Sequence, residues 1–319
     1  MRYNLPTVYP RVLQWQYHTT SSVITEEKTM LILFTDSDCD LSLEKCKEFG
    51  YHLISMPYQI DGQEPVYPYE DFDQFDSKTF YDTLRTGVVP KTFAISPDKY
   101  MSYFEPHFAN GDDILYVHFS RAMSGTFNAM DLAVDELLKK YPERKFYTID
   151  TNAITLCSYN IVCEVGDMYK AGKTAEEMVT WANDNVNKFA AYFFANDLKF
   201  FCKSGRVNGL KALMGNLIGI RPILNMSADG MMSNVDKATG RVKTLKRILQ
   251  YVEDLQEDIY NHRVVIGHTD DIATAKQLQQ MLVERFGEKL NTEIVVVNPT
   301  AGSHCGPNGA GICFYAKHR

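Results

Sequence analysis

The chain lacks any run approaching the roughly 20 consecutive apolar residues of a membrane-spanning helix, so no stable membrane insertion is expected. It also lacks a basic tail. The formal net charge is -7 and the pI about 5.6, which argues against nucleic acid as the main partner. Residues 1–29 contain no continuous apolar stretch and no small-residue cleavage site, so a secretory signal is not expected. None of the seven cysteines (Cys39, Cys46, Cys157, Cys163, Cys202, Cys305 and Cys313) forms a CxxC pair, and their number is odd. Reduced thiols and a cytoplasmic location follow as the expectation. No Cys/His spacing suits a structural zinc ion, so no metal site and no cofactor are expected. A glycine-rich P-loop is missing too, and any ATP chemistry must then come from a partner. Internal repeats, low-complexity tracts and an obvious linker are all lacking.

What is present is an ordinary globular composition, 45% hydrophobic and 23% charged, over 319 residues, which one core rarely serves. Apolar runs at Met30–Phe34, Ile54–Ile60, Ile114–Phe119 and Lys145–Ile149 read as strands. Between and after them, Leu43–Gly50, Ser77–Arg85 with Ser77 as N-cap, the run up to Tyr141, 154–171 and 175–188 read as helices, and 61–76 as an exposed loop. Strands alternating with helices imply βαβ units and a mostly parallel sheet flanked by helices. After residue 189 the pattern changes. Ala191–Ala195, Ile220–Asn225, Met231–Asp236, Val264–Gly267, Glu293–Asn298 and Ile312–Ala316 read as strands, with helices at Thr244–Asn261 and up to Glu284. The expected organisation is an extension (1–29), an N-terminal α/β domain (30–180) and a second, mixed α/β domain (181–319). The boundary is soft, and the domains are free to exchange segments.

Ser120–Thr126 (SRAMSGT) lies after a strand and before a helix, where open α/β sheets bind ligands. Free N–H groups at the helix start attract an anion, Gly125 permits close approach, and the hydroxyls of Ser124 and Thr126 can donate to an oxygen. A plain N-cap by Ser124 explains the same residues equally well. The physics leaves carboxylate and phosphate open. Asp36, Asp38 and Asp40 follow a strand and admit a second reading, a Mg-dependent hydrolase or phosphotransferase using Asp36 and Asp38, against a polar loop that caps the next helix through Asp40 or Ser42. Cys305 beside His304 suggests a thiol nucleophile only weakly, since adjacent side chains rarely face each other. Lys237, Arg241, Lys243, Lys246 and Arg247 form a basic cluster, read either as a docking patch for an acidic partner or anionic membrane surface, or as a solvated helix start.

Six segments occur together in order: Thr35-Asp36-Ser37, Ser124-Gly125-Thr126, Ser204-Gly205-Arg206, Arg221-Pro222-Ile223-Leu224, Asp229-Gly230, and His304-Cys305-Gly306-Pro307-Asn308-Gly309-Ala310-Gly311. In this order and spacing the chain resembles the DegV family from Met30 to its end. The resemblance implies two α/β domains with a long-chain fatty acid, such as palmitate or stearate, buried between them. It implies a lipid-binding protein with no catalytic residues of its own. Such a protein supplies the fatty acid to a separate fatty-acid kinase, which phosphorylates the carboxylate for phospholipid synthesis; a binder of another amphiphile is the alternative on the same fold. Carried over by position, Thr92 and Ser124 would hold the carboxylate, and Arg206 and His304 would present it to the kinase. Three departures stand out: Phe93-Ala94-Ile95 replaces the family's Ser-Gln-Pro, Arg121 its second serine, and Ser204-Gly205-Arg206 its Gly-Gly-Arg. Tyr192-Phe193-Phe194, Leu213-Met214 and Leu217-Ile218 are candidates for the acyl tunnel.

Overall fold

The computed structural model describes residues 29–70, 75–208 and 219–319. The extension as far as residue 28, and Leu213, Met214, Leu217 and Ile218, lie outside the described residues. The chain runs β1 (Leu31–Asp36), α1 (Leu43–Phe49), β2 (Tyr51–Ile54), β3 (Tyr58–Gln59), α2 (Ser77–Arg85), β4 (Lys91–Thr92), α3 (Pro97–Ala109), β5 (Asp113–His118), α4 (Thr126–Lys140), β6 (Phe146–Asp150), α5 (Leu156–Lys170) and α6 (Ala175–Asn185). It continues with β7 (Phe189–Phe194), α7 (Leu198–Ser204), β8 (Val207–Asn208), β9 (Ile220–Met226), β10 (Met232–Thr239), α8 (Arg241–Leu255), β11 (Val264–His268), α9 (Ile272–Phe286), β12 (Thr292–Val296), α10 (Pro299–Cys305) and β13 (Ala310–Tyr315).

The first sheet is all parallel, in the order β2-β1-β5-β6. The second is mixed, in the order β12-β11-β13-β7-β9-β10-β8. Its centre is antiparallel, while β12 and β8 pair parallel to β11 and β10. Pro222 sits on β9 beyond the last residue paired with β7, where its missing N–H breaks no bond to that strand. The α/β class with one parallel and one mixed sheet is as the sequence predicts.

One helix joins the two sheets. Every residue of α5 from Leu156 to Cys163 is buried, and its polar members Ser158 and Asn160 are hydrogen-bonded to the Thr151 hydroxyl and the Arg263 carbonyl. It packs on β7, β11 and β13 and on α1. The main core therefore runs from Leu33, Ile114 and Leu115 of the first sheet to Ala191, Leu224 and Cys313 of the second. The opposite face of the second sheet has a separate core with α8 and α9, built on Tyr192, Ile266, Leu278 and Phe314.

Several local expectations are corrected. The strand placed at Ile54–Ile60 is two strands, β2 ending at Ile54 and β3 at Tyr58–Gln59. Pro57 has no N–H for a ladder, and the Met56 N–H instead donates to Ser37 Oγ at 2.9 Å. The cap of α2 is Asp76, which accepts from the Thr79 N–H; Ser77 is already the first helical residue. Of the two caps the sequence offers for α1, Asp40 and Ser42, it is Ser42 whose side chain accepts the Lys45 N–H. The helices α3 and α10 each start at a polar cap followed by proline, Ser96-Pro97 and Asn298-Pro299, a pairing that marks a helix start in sequence.

Gly302 on α10 sets a limit on packing. A Cβ there would come within 2.5 Å of the Tyr81 hydroxyl and 3.2 Å of Phe80. Tyr81 is fully buried and donates to the Val297 carbonyl at 2.8 Å, so it has no room to yield. Gly302→Ala, which favours a free helix by about 1 kcal/mol, is expected instead to lower unfolding stability by about 1–3 kcal/mol from overpacking, read from the midpoint of a urea titration.

Candidate functional site

A cavity of about 230 Å³ opens between the two sheets. Its walls come from the turn after β1, the loop after β5, the start of α5, strand β7, the ends of β11 and β13, and α10. Carboxyl ends of parallel strands face it from the first sheet, the position where α/β proteins bind ligands.

Thr92, Ser124, Arg206 and His304 all line this cavity. Thr92 is held by the short antiparallel ladder of β3 with β4, in which it faces Tyr58. His304 comes from the last turn of α10. The proline-initiated helix brings it to Thr92, with Thr92 Oγ1 and His304 Nε2 2.9 Å apart. Burial first, and the nearby Arg206 guanidinium second, push the His304 imidazole down to about 4, so it is neutral at pH 7. Arg206 follows α7 and leads into β8. Its guanidinium donates to the Met123 carbonyl at 3.3 Å and to the Ser204 carbonyl. Among the described residues no carboxylate pairs with it.

The 120–126 segment divides differently from the sequence expectation. It opens with a tight turn at Arg121–Met123, and α4 starts at Thr126 with Gly125 in the cap position. Ser124 faces the cavity while its Oγ accepts the Thr126 N–H at 3.2 Å. Thr126 is turned into the core: its hydroxyl accepts from the Ile95 N–H at 3.0 Å and meets the Tyr100 hydroxyl at 3.0 Å. It is therefore not a ligand donor. Arg121 pairs with Asp131 and stays outside the cavity. Asp229-Gly230, the turn between β9 and β10, packs on this segment. Gly230 has φ 79°, and a Cβ there would fall 2.2 Å from Ser120 Oγ.

The remaining walls are mostly apolar, including Met56, Phe119, Met123, Phe193, Phe194 and Phe201. Tyr192 is not among them; it stacks on Tyr251 at 4.1 Å in the other core. Of the departure Phe93-Ala94-Ile95, the first two line the cavity and Ile95 is buried against Thr126.

The alternative sites fare less well. Asp36 Oδ1 accepts the Asp38 N–H at 3.0 Å and the Cys39 thiol, and Oδ2 accepts the Tyr116 hydroxyl and the Phe119 N–H, each at 3.1 Å. Both oxygens are thus engaged in folding the turn, which leaves no lone pair directed at a phosphoryl group. Burial pushes the Cys305 thiol up to about 12, with Asp40 and Asp38 adding to it, so it is no thiolate. The basic cluster is partly spent within the chain. Arg247 pairs with Asp236, and Arg241 donates to Thr274 at 3.3 Å. No helix among the described residues is long and apolar enough to cross a membrane.

An α/β protein with two sheets and, between them, a largely apolar cavity that carries hydroxyl, imidazole and guanidinium groups is the class these features define. Residues 30–317 match the model of a family described as "Uncharacterised protein, DegV family". The chain belongs to the DegV family. A DegV domain-containing protein of Clostridium perfringens is 32% identical over 287 residues, covering 89% of this chain and 96% of that one. Among solved structures, a stearic acid-binding protein from Eubacterium ventriosum superposes with a TM-score of 0.80 at 20% identity, covering 90% of this chain and 99% of that one. A DegV family protein from Thermus thermophilus, described for its fatty acid binding, gives 0.78 at 21% identity, covering 90% and 100%.

Proposed function

We propose that the cavity holds a long-chain fatty acid, enclosed by residues 30–180 on one side and 181–319 on the other. The protein is then a carrier that presents the carboxylate to a separate fatty-acid kinase, which makes the acyl phosphate for phospholipid synthesis. The observation that carries the reading is the pairing of Thr92 with neutral His304 at 2.9 Å in a cavity whose other walls are mainly apolar. The Thr92–His304 pair, which uses one of its two hydrogens in its own bond, supplies one neutral donor to a carboxylate, and Ser124 supplies another. Without a salt bridge the carboxylate keeps its nucleophilicity towards phosphorus. Arg206, already held by two carbonyls, offsets negative charge as the phosphoryl group approaches. The likeness to proteins that bind stearic and other fatty acids supports the ligand class.

Burial of the chain supplies the affinity, roughly 0.8 kcal/mol per methylene, with an upper bound of about 10 kcal/mol for palmitate before the costs of ordering. Such a ligand survives purification. Denaturing extraction of the purified protein followed by mass spectrometry is expected to yield a long-chain fatty acid in near-stoichiometric amount. A lipid-free extract from protein made in a lipid-rich host, together with no uptake of added palmitate or stearate, would sink the reading.

A further inference from the structure

Two of the three aspartates in the turn after β1 are absorbed by the fold. Asp36 organises the turn, and Asp40 Oδ1 accepts from the Asn298 backbone N–H at 2.9 Å and its side-chain amide at 2.7 Å. Asp38 is different. It lines the cavity, is only 4% exposed, and its Oδ1 is buried with no hydrogen-bond partner among the described residues. Burial, with Asp36 and Asp40 close by, raises its carboxyl well above the ordinary range.

Thr155 stands beside it on the same wall, 6% exposed. Its N–H donates to the Asp38 carbonyl at 2.7 Å, which ties the two residues together. Thr155 has φ 53°, a strained conformation for a β-branched residue. It occupies the cap position of α5, yet its side chain caps no N–H of that helix, the job a threonine there ordinarily does.

An acyl chain needs neither group. An unpaired buried carboxyl oxygen and a strained threonine both destabilise a purely apolar tunnel. A hydroxyl on the ligand satisfies the pair, because it donates to Asp38 and accepts from Thr155 at once. The pair also serves when Asp38 is protonated on Oδ1, because Oδ1–H then donates to the ligand oxygen and the ligand hydroxyl donates to Thr155 Oγ1. We propose that Asp38 and Thr155 form a second polar subsite, and that the preferred ligands are long-chain fatty acids bearing a hydroxyl along the chain. This deepens the fatty-acid reading of the cavity and rests on it.

The test is equilibrium binding of stearic acid and a positional series of monohydroxystearic acids to the delipidated full-length protein. At least one isomer is expected to bind about tenfold or more tightly than stearic acid, the effect of one buried hydrogen-bonded hydroxyl. That ratio is expected to collapse towards unity in Asp38→Leu and to fall in the isosteric Thr155→Val. A wild-type protein that prefers stearic acid to every isomer overturns the proposal, as does a preference that persists in Thr155→Val and in folded Asp38→Leu. Binding of neither stearic acid nor any hydroxystearic acid overturns the fatty-acid reading itself, and the subsite with it.

Discussion

His304→Ala and Arg206→Ala are each expected to leave the fatty acid bound and to cut acyl-phosphate formation by about a hundredfold, the effect of losing one group that stabilises charge at a reacting centre. In the proposed complex most of the binding free energy lies in the buried chain, which neither residue holds. His304 is neutral and 2.9 Å from Thr92, so its removal frees the Thr92 hydroxyl and loosens the carboxylate just where geometry matters. Arg206 has no carboxylate partner among the described residues, so its charge is free to act on the incoming phosphoryl group. The measurement is acyl phosphate produced by a fatty-acid kinase from the preloaded protein, with native mass spectrometry confirming that lipid is retained. Because the imidazole titrates near pH 4, no His304-dependent inflection is expected in the rate between pH 6 and 8. Unchanged transfer in both variants would remove these residues from the mechanism.

Asp40→Asn is expected to stabilise the protein, and increasingly so as pH rises. Burial pushes the Asp40 carboxyl up from 3.8 to about 7 in the folded state. Between those values the folded protein holds a proton that the unfolded chain has released. Stability therefore falls as pH rises through this window, and the full penalty is present above about pH 7. The upper bound, at about 1.4 kcal/mol for each tenfold change in proton affinity, is about 4 kcal/mol. Asparagine retains the Oδ1 acceptor used by Asn298 and carries no charge. Its amide replaces Oδ2, which has no partner among the described residues. It also tolerates the φ of 58° at this position. The variant and wild type should melt alike near pH 4 and diverge up to pH 7, in thermal or urea denaturation. The opposite slope from His304, whose neutral form is favoured and whose contribution is lost as pH falls from 6.5 towards 4, is common to both proteins and cancels in the difference. Burial raises the Asp36 carboxyl to about 7 as well, so Asp36→Asn shares that pH-dependent relief, but it carries an opposing cost at every pH and its net effect should be smaller or reversed. All four of its partners are donors, so an amide N–H would oppose two of them, at a cost of about 1–3 kcal/mol. Equal effects of the two substitutions would contradict this account.

The α/β class and the positions of most strands were legible because alternating apolar runs and helical periods are local properties. The ordered motifs made the family legible as well. The errors fall where direction mattered more than identity. Ser124 and Thr126 are chemically similar neighbours, yet one faces the cavity and the other bonds Ile95 and Tyr100 in the core. Tyr192 and Phe193 are adjacent on β7, and strand alternation sends one to each core. Pro57 split a strand that hydrophobicity alone would have continued.

By itself the sequence determined the class, the family likeness, the absence of a P-loop, and which residue types were available for an anion with an apolar tail. Only the tertiary structure decided which of them meet. Thr92 and His304 lie 212 positions apart, and they meet because Asn298 and Pro299 start a helix packed against the β3–β4 ladder. Asp36, Asp38 and Asp40 read alike in sequence. A single tight turn gives them three different surroundings: a saturated set of donors, a cavity wall and the Asn298 side chain. The physical reason is that composition and period set what a segment can form, whereas side-chain direction depends on rotations fixed by packing against distant parts of the chain.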